Sequence, residues 1–318
     1  MAARRIALVG AGSMGRNHAR VVATSNDAEL AVVVDPVPEV GRAVADAHGA
    51  RWAADLTGLG DVDAVVVAAS TEHHYAIVGD VLDAGLPVLV EKPVCPSLAQ
   101  TEEILERSRT AGVPLMCGLL ERYNPAVMVA LEMVDAPLQV RAERHSPYVS
   151  RIKTGVAWDL LVHDVDLVTR CFGNAEPTSV SVDVGYFHPD SVSGAEDVVE
   201  TSLRFDGGGI ASVSASRIGQ RKVRSLVIHE LDKMIEVDLL RRGVTAYRHT
   251  TIEAQGSGAG YRQATEMEVP EIIGQEPLAT QFQRFLALVD GRVDADAERD
   301  SILPAHRIVD RALAASRR

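Results

Sequence analysis

A row of charged side chains interrupts an otherwise apolar segment, VAWDLLVHDVDLVTRCFG, at residues 156–173. Asp159, His163, Asp166 and Arg170 follow one another at intervals of four, three and four residues, which predicts a single stripe on an α-helix. A histidine titrates near neutral pH, so with a carboxylate one turn away it could take a proton from a substrate. The same row could instead be the solvated face of an amphipathic helix. As a third possibility, His163 could ligate zinc or manganese together with Asp159 and Asp166.

A glycine-rich turn near the N-terminus fits the pattern G-x-G-x-x-G. GAGSMG at residues 10–15 lies between the apolar run RRIALVG and a predicted helix. Gly10 permits the tight turn, Gly12 lets a pyrophosphate approach the backbone, and Gly15 allows close packing of helix on strand. The phosphates would then lie at a helix N-terminus, where free N–H groups and the helix dipole favour negative charge.

An acidic residue ends the next predicted strand. Asp35 lies twenty positions past Gly15, at the end of AVVVD. Its carboxylate can accept hydrogen bonds from the adenosine ribose and would repel a 2′-phosphate, which predicts NAD as the cofactor rather than NADP. Without a ligand, the same features would be a glycine-rich turn and a strand-end aspartate.

Apolar strand-like runs alternate with helical segments over residues 1–120. This alternation predicts a Rossmann-type, doubly wound parallel sheet covered on both faces, within the α/β class. Over residues 121–300, a helix is followed by short alternating segments, which predict an α+β domain with a largely antiparallel, open sheet. A final helix at 301–318 is expected to pack back on the first domain.

The bulk composition excludes several kinds of partner. The formal net charge is −12 without a Lys- or Arg-rich run, which argues against nucleic acid and anionic membranes. No stretch has the length of a membrane span, and three cysteines without CxxC spacing indicate a reducing cytoplasm. The open face of the second sheet predicts a homodimer or homotetramer.

Four motifs together resemble the Gfo/Idh/MocA family, the relatives of glucose–fructose oxidoreductase and inositol dehydrogenase. They are EKP at residues 91–93, GSMGRNHAR, STEHHYAIV and DLLVHDVD. The resemblance implies an NAD-dependent dehydrogenase with His163 as the base, Asp159 as its partner and Lys92 beside the nicotinamide. It leaves Asp166 as a further orienting group and makes a catalytic metal unnecessary.

The glycine motif and the resemblance together give a predicted set of cofactor-binding residues. His74 is expected to satisfy local backbone groups near the nicotinamide, whereas the adjacent His73 points another way. The full set is Gly10, Gly12, Ser13, Met14, Gly15, Asp35, Ser70, Thr71, His74, Glu91 and Lys92.

Two further segments, ERYNPAV and ERHSPYVSRIKTGVAWDLLVHDVDLV, resemble the subgroup that includes UDP-N-acetylglucosamine 3-dehydrogenases. The implied substrate is a sugar or sugar nucleotide, with the 3-hydroxyl of a UDP-N-acetylhexosamine as the leading candidate. Arginines could bind its diphosphate through forked hydrogen bonds or could simply be solvated, and Asn124 could cap a helix that begins at Pro125. The predicted substrate-binding residues are Arg122, Tyr123, Asn124, Arg144, Arg151, Asp159 and His163.

Other functions remain open at this point. An inositol or free-sugar dehydrogenase, or a ketosugar reductase, would use the same residues. A non-catalytic sensor that binds a dinucleotide belongs to a different class of function.

Overall fold

The computed structural model describes residues 3–150, 152–253 and 261–315, which divide into two units. The first unit contains a six-stranded sheet in the order β3-β2-β1-β4-β5-β6, and every pair of neighbouring strands is parallel. Its strands are β1 Arg4–Val9, β2 Ala28–Val34, β3 Arg51–Ala53, β4 Ala64–Val67, β5 Val88–Glu91 and β6 Leu115–Gly118. The connecting helices are α1 Ser13–Ala23, α2 Pro38–Ala47, α3 Thr71–Asp83 and α4 Leu98–Ala111.

The strands of this sheet are apolar because helices cover both faces. All four residues of β4 have 0% exposure, which is typical of a parallel sheet without a solvent-facing side. The carboxyl ends of β1, β2, β4 and β5 carry the predicted cofactor residues, in agreement with the rule that ligands bind at that edge of an open sheet.

The second unit contains an eight-stranded sheet in the order β14-β13-β12-β11-β7-β10-β9-β8. Only the β7–β10 pair is parallel among these ladders. The elements are α5 Pro125–Glu132, β7 Gln139–His145, α6 Val162–Cys171, β8 Ser179–Gly185, β9 Val198–Arg204, β10 Ile210–Ser216, β11 Val223–His229, β12 Met234–Asp238, β13 Gly243–Glu253 and β14 Tyr261–Glu268.

Two helices of the second unit pack on its sheet. Helix α5 packs on β12 and β13, and α6 packs on β7 and β10. Buried and more exposed residues alternate along β9 and β7, as expected when only one face is covered. The predicted fold class, a Rossmann-type sheet plus an α+β unit with a mostly antiparallel sheet, is confirmed.

The closing helices are α7 Pro277–Val289, α8 Ala295–Asp300 and α9 Leu303–Ala315. Residues 276–303 belong to the first unit and residues 304–315 to the second, whereas the sequence predicted a boundary after residue 300. Helix α7 packs on α1, and Asp290 at its end pairs with Arg4 at 2.8 Å. On α9, Arg307 pairs with Glu176 at 2.6 Å.

No helix in residues 3–150, 152–253 and 261–315 combines the length and the apolarity needed to cross a membrane.

Candidate active site

The glycines of the first turn serve two different purposes. Gly10 has φ +95°, and a Cβ there would lie 2.5 Å from the Ala69 nitrogen. A Cβ at Gly15 would overlap the Gly10 carbonyl oxygen. A Cβ at Gly12, however, would meet no atom of the described residues within 4 Å, and φ at Gly12 is −68°. The fold therefore requires glycine at positions 10 and 15, whereas at position 12 glycine leaves space that a ligand could occupy.

Helix α1 begins at this space. Its N-cap is Gly12, and no side chain makes a capping hydrogen bond. The N–H groups of the first turn are consequently available to an anion, and the helix dipole favours a negative charge there. These residues suit the pyrophosphate of a dinucleotide.

Asp35 connects two turns at the carboxyl edge of the first sheet. Its Oδ2 accepts a hydrogen bond from the Ala11 nitrogen at 2.8 Å, and its Oδ1 accepts one from the Val37 nitrogen at 2.9 Å. Each carboxylate oxygen has a further lone pair, so Asp35 can hold the turns and still accept hydrogen bonds from ribose hydroxyls.

A cavity of about 730 Å³ opens beside Asp35. Of the predicted cofactor residues, Gly10, Gly12, Ser13, Asp35 and Ser70 line it. Its other lining residues include an apolar group that suits an adenine ring and that sequence reasoning missed: Val37, Val40, Leu56 and Ile77. No lysine or arginine of the described chain lines this cavity, which agrees with a ribose that carries no 2′-phosphate.

The Glu-Lys-Pro turn after β5 is held by two buried histidines. His18 Nε2 lies 2.8 Å from Glu91 Oε1. The ring of His74 lies 2.9 Å from the Pro93 carbonyl oxygen and 3.0 Å from that of Ala69. His18 and His74 are each 1% exposed, so the side chains of Glu91 and His74 shape the turn that carries Lys92 rather than face solvent. His18 was missed because its partner follows 73 residues later.

The remaining predicted cofactor residues lie outside the lining of the cavity. Met14 and Gly15 belong to α1, Thr71 begins α3, and Lys92 is half-buried after β5.

The helix that carries the charged row starts with a π-turn. Residues Ala157–Leu161 form the π-turn, and α6 continues from Val162 without a break. Such turns widen a helix locally and are frequent at functional sites. Asp159 and His163 are both half-buried and lie at this junction, while Arg217 Nη2 lies 3.4 Å from Asp159 Oδ2.

The first turn of this helix is anchored by an acidic residue from elsewhere in the second unit. Glu196 Oε1 accepts a hydrogen bond from the Ala157 nitrogen at 2.7 Å, and its carbonyl accepts one from the Val156 nitrogen at 3.1 Å. A Cβ at Gly155 would overlap the Glu196 carboxylate. Burial raises the pKa of Glu196. Neither Glu196 nor Arg217 was predicted, because each lies far from the helix in sequence.

Two buried arginines fix α6 through forked ion pairs. Arg122 donates from Nε and Nη2 to Asp166 at 2.8 and 2.6 Å. Arg144 donates in the same way to Asp164 at 2.7 and 2.8 Å, and its Nη1 donates to Glu121 at 2.8 Å. Burial by itself would lower the pKa of Arg144, but the two carboxylates outweigh burial and the pKa is raised.

These pairs correct part of the predicted site. Arg122 was expected to line the substrate pocket, and Arg144 either to bind a diphosphate or to be solvated, but both guanidinium groups are buried and paired with carboxylates. Asp166 was expected to be a further orienting group, and its carboxylate pairs with Arg122. Asn124 is 3% exposed; it caps α5 through the Ala126 nitrogen and donates to the Leu239 carbonyl at 3.1 Å.

Two further residues, Tyr123 and Arg151, were predicted to bind the substrate. Tyr123 is half-buried. Arg151 lies outside the residues that the structure describes.

A metal at the charged row would need a third ligand besides His163 and Asp159. The candidate for that ligand, Asp166, is engaged by Arg122. Among the residues that the structure describes, no group of three or more His, Cys, Asp or Glu side chains is placed to hold a metal ion.

The family follows from matches over both units. Residues 4–119 match the GFO_IDH_MocA oxidoreductase family with its NAD-binding Rossmann fold, and residues 131–235 match the GFO/IDH/MocA C-terminal domain. The chain therefore belongs to the Gfo/Idh/MocA oxidoreductase family, and its cofactor is NAD. The predicted family, enzyme class and cofactor are confirmed.

Individual relatives extend these matches. UDP-N-acetylglucosamine 3-dehydrogenase from Acidithiobacillus ferrooxidans is 27% identical over 285 residues, 89% of this chain and 87% of that protein. Its solved structure superimposes with a TM-score of 0.86 and 26% identity, and the match covers 100% of both chains. The NAD(+)-dependent scyllo-inositol 2-dehydrogenase of Bacillus subtilis is 30% identical over 231 residues, 67% of each protein.

The difference between Gly12 and Gly15 gives a direct test of the cofactor site. Gly12→Ala should fold with an unchanged Tm and bind NAD at least about tenfold more weakly, because the added methyl group occupies space that the pyrophosphate needs. Gly15→Ala should instead lower Tm, because its methyl group collides with backbone. Calorimetric NAD titration and thermal unfolding of both variants measure the two effects. Unchanged NAD affinity in Gly12→Ala would place the pyrophosphate elsewhere.

Proposed function

We propose that the chain oxidises a secondary hydroxyl of a sugar nucleotide, with the 3-hydroxyl of a UDP-N-acetylhexosamine as the preferred target. The observation that carries the proposal is the difference in exposure among the charged side chains of the helix. Asp159 and His163 keep partial exposure, whereas the Asp164 and Asp166 side chains are 3% exposed and engaged by arginines. The side chains of Asp159 and His163 therefore remain accessible to a ligand at positions one helical turn apart.

The proposed chemistry divides the loss of two hydrogens between cofactor and protein. NAD held by the glycine turn and Asp35 would supply the acceptor for the hydride that leaves the carbon bearing the hydroxyl. His163 takes the hydroxyl proton, and Asp159 orients the imidazole and stabilises its charged form. Lys92 donates to the substrate oxygen and stabilises the negative charge that develops there. The product is a ketone, and the proton stays on His163 until solvent removes it.

The preference for a nucleotide rests on the relatives, because Arg122 and Arg144 pair with buried carboxylates and give no support for a diphosphate site. A UDP-N-acetylglucosamine 3-dehydrogenase matches 89% of this chain at 27% identity. A hydrophilic sugar has little apolar surface, so phosphate contacts would supply binding energy remote from the reacting carbon. An inositol dehydrogenase is the second candidate, because relatives with that activity reach 30% identity over 67% of the chain.

The test is a panel of substrates with the purified protein and NAD, followed at the nicotinamide absorbance. The panel contains UDP-N-acetylglucosamine, free N-acetylglucosamine, myo-inositol and scyllo-inositol. If the diphosphate makes two charge-assisted contacts at about 1.5–3 kcal/mol each, kcat/KM for the nucleotide should exceed that for the free sugar by roughly a hundredfold or more. Mass spectrometry should show the product two hydrogens lighter than the substrate.

Other outcomes of the panel decide between the alternatives. Equal or higher efficiency with an inositol would replace the nucleotide proposal by the second candidate. NAD binding without turnover on any substrate would favour a sensor. Titration with NADP should give much weaker binding than NAD, because Asp35 would repel the 2′-phosphate.

We further propose a cytoplasmic homodimer or homotetramer. The open face of the second sheet offers a surface for a second copy. Cys95, Cys117 and Cys171 are all buried free thiols, which suits a reducing compartment. Light scattering of the purified protein gives the number of copies.

A further inference from the structure

A buried arginine contacts the aspartate of the proposed catalytic pair. Arg217 follows β10 directly and is 4% exposed. Its backbone nitrogen donates to the Asp197 carbonyl at 2.9 Å, and its Nη2 lies 3.4 Å from Asp159 Oδ2. The Asp159 side chain keeps 24% exposure, so the pair lies at the boundary between the interior of the second unit and solvent.

The segment that holds Arg217 also holds the helix of Asp159. Glu196 binds the backbone nitrogens of the first helical turn through its side chain and its carbonyl. The next residue, Asp197, accepts hydrogen bonds from the Phe187 and His188 nitrogens at 2.7 Å each. Residues 196 and 197 thus fix the start of the helix and the main chain of Arg217 relative to each other.

The charges around Asp159 come from several elements of the second unit. Arg217 follows β10, Glu196 and Asp197 precede β9, and His163 lies one turn along the helix. Arg224 on β11 also interacts electrostatically with Asp159. Burial and the neighbouring Arg144 lower the pKa of Arg224, while acidic neighbours that include Asp159 oppose this change. Asp159 therefore interacts with two arginines, Arg217 and Arg224.

We propose that Arg217 is a positioning residue for Asp159 and that its charge keeps His163 in the base form at lower pH than Asp159 alone would allow. This inference rests on the proposed function. Without a cationic partner, Asp159 would stabilise the imidazolium and make His163 a stronger base that is more often protonated. A cation paired with Asp159 offsets part of that stabilisation and also restricts the rotamers of the carboxylate.

The experiment compares Arg217→Gln and Arg217→Lys by the pH dependence of kcat and kcat/KM. Arg217→Gln should lower kcat about ten- to a hundredfold through misplacement of the catalytic pair, with KM for the substrate nearly unchanged. The acid limb of its profile should move to higher pH by about half a unit to one unit, because the positive charge paired with Asp159 is gone. Arg217→Lys keeps the charge, so it should keep the acid limb in place and recover part of kcat.

Arg141→Gln serves as the matched control, because Arg141 is exposed on β7 of the same sheet. It should leave both the profile and kcat unchanged. In an Asp159→Asn background, Arg217→Gln should cause almost no further loss of kcat, since residues that act as a unit are not additive.

Three outcomes would overturn the inference. A raised KM with an unmoved acid limb in Arg217→Gln would mean that Arg217 contacts the substrate directly. A shift of the acid limb to higher pH in Arg217→Lys would exclude the electrostatic role, because this variant keeps the charge. The lysine variant provides this test even if Arg217→Gln fails to fold. If Arg217→Gln has the wild-type kcat and pH profile while Asp159→Asn is inactive, only the inference about Arg217 is refuted. If Asp159→Asn is fully active, the proposed function is refuted as well.

Discussion

Replacement of His163 by alanine is expected to lower kcat about a thousandfold while NAD binds almost as tightly as before. General base catalysis by a positioned side chain contributes typically about 10²–10⁴ to the rate, and His163 lies in the second unit, whereas the residues proposed to bind NAD lie in the first. Lys92→Ala is expected to lower kcat about a hundredfold or more, because it removes the proposed donor to the developing oxyanion. Steady-state kinetics and calorimetric NAD titration of each variant separate turnover from cofactor binding.

His229→Ala is the control for His163→Ala, because His229 is a half-buried histidine on β11 of the same unit. Its kcat should equal that of the wild type. A chelator should leave the wild-type rate unchanged. Loss of activity on chelation with recovery on added zinc would establish the metal hypothesis, and wild-type turnover in His163→Ala would remove His163 from the mechanism.

The second large effect is on stability. Asp164→Ala is expected to destabilise the protein by about 3–5 kcal/mol, because it leaves Arg144 buried without its forked partner. The double replacement Arg144→Met with Asp164→Leu should recover most of that loss, since apolar side chains of similar volume can replace a buried ion pair. Urea unfolding followed by circular dichroism measures the free energy of unfolding for each variant.

The matched control is the exposed pair between Arg248 and Glu268, on neighbouring strands β13 and β14. Glu268→Ala should have a much smaller effect, because solvent screens an exposed pair. An equal decrease in the free energy of unfolding in both variants would mean that the buried, forked pair of Arg144 and Asp164 stabilises the protein no more than an exposed pair does.

Glu121, the other partner of Arg144, adds a pH dependence. Burial alone would raise its pKa, but Arg144 and Arg224 outweigh burial and hold the pKa below its usual range. A carboxylate with a depressed pKa stabilises the fold above its unfolded pKa, and this contribution is lost as pH falls through the folded value. The free energy of unfolding should therefore decrease as the pH falls through the folded pKa of Glu121, because Arg144 then loses one of its two carboxylate partners.

The sequence by itself determined the features that are local in the chain. A strand, a glycine turn and a helix follow one another within about twenty residues, so periodicity and the positions of the glycines predict the cofactor turn and Asp35. The alternation of apolar strands with helices predicts the parallel sheet for the same reason. The spacing of Asp159 and His163 places them one helical turn apart wherever that helix packs.

Only the tertiary structure decided which charged residues remain available for chemistry. Asp166 belongs to the same helical stripe as His163, yet its partner Arg122 lies 44 residues away in the sequence. Arg144 and Asp164 are 20 residues apart, and Arg217 and Asp159 are 58 apart. Helical spacing fixes which side chains share a face, but not which arginine that face meets when helices pack on a sheet. A buried charge must be paired, and in this fold Asp164 and Asp166 form those pairs, while Asp159 and His163 stay accessible.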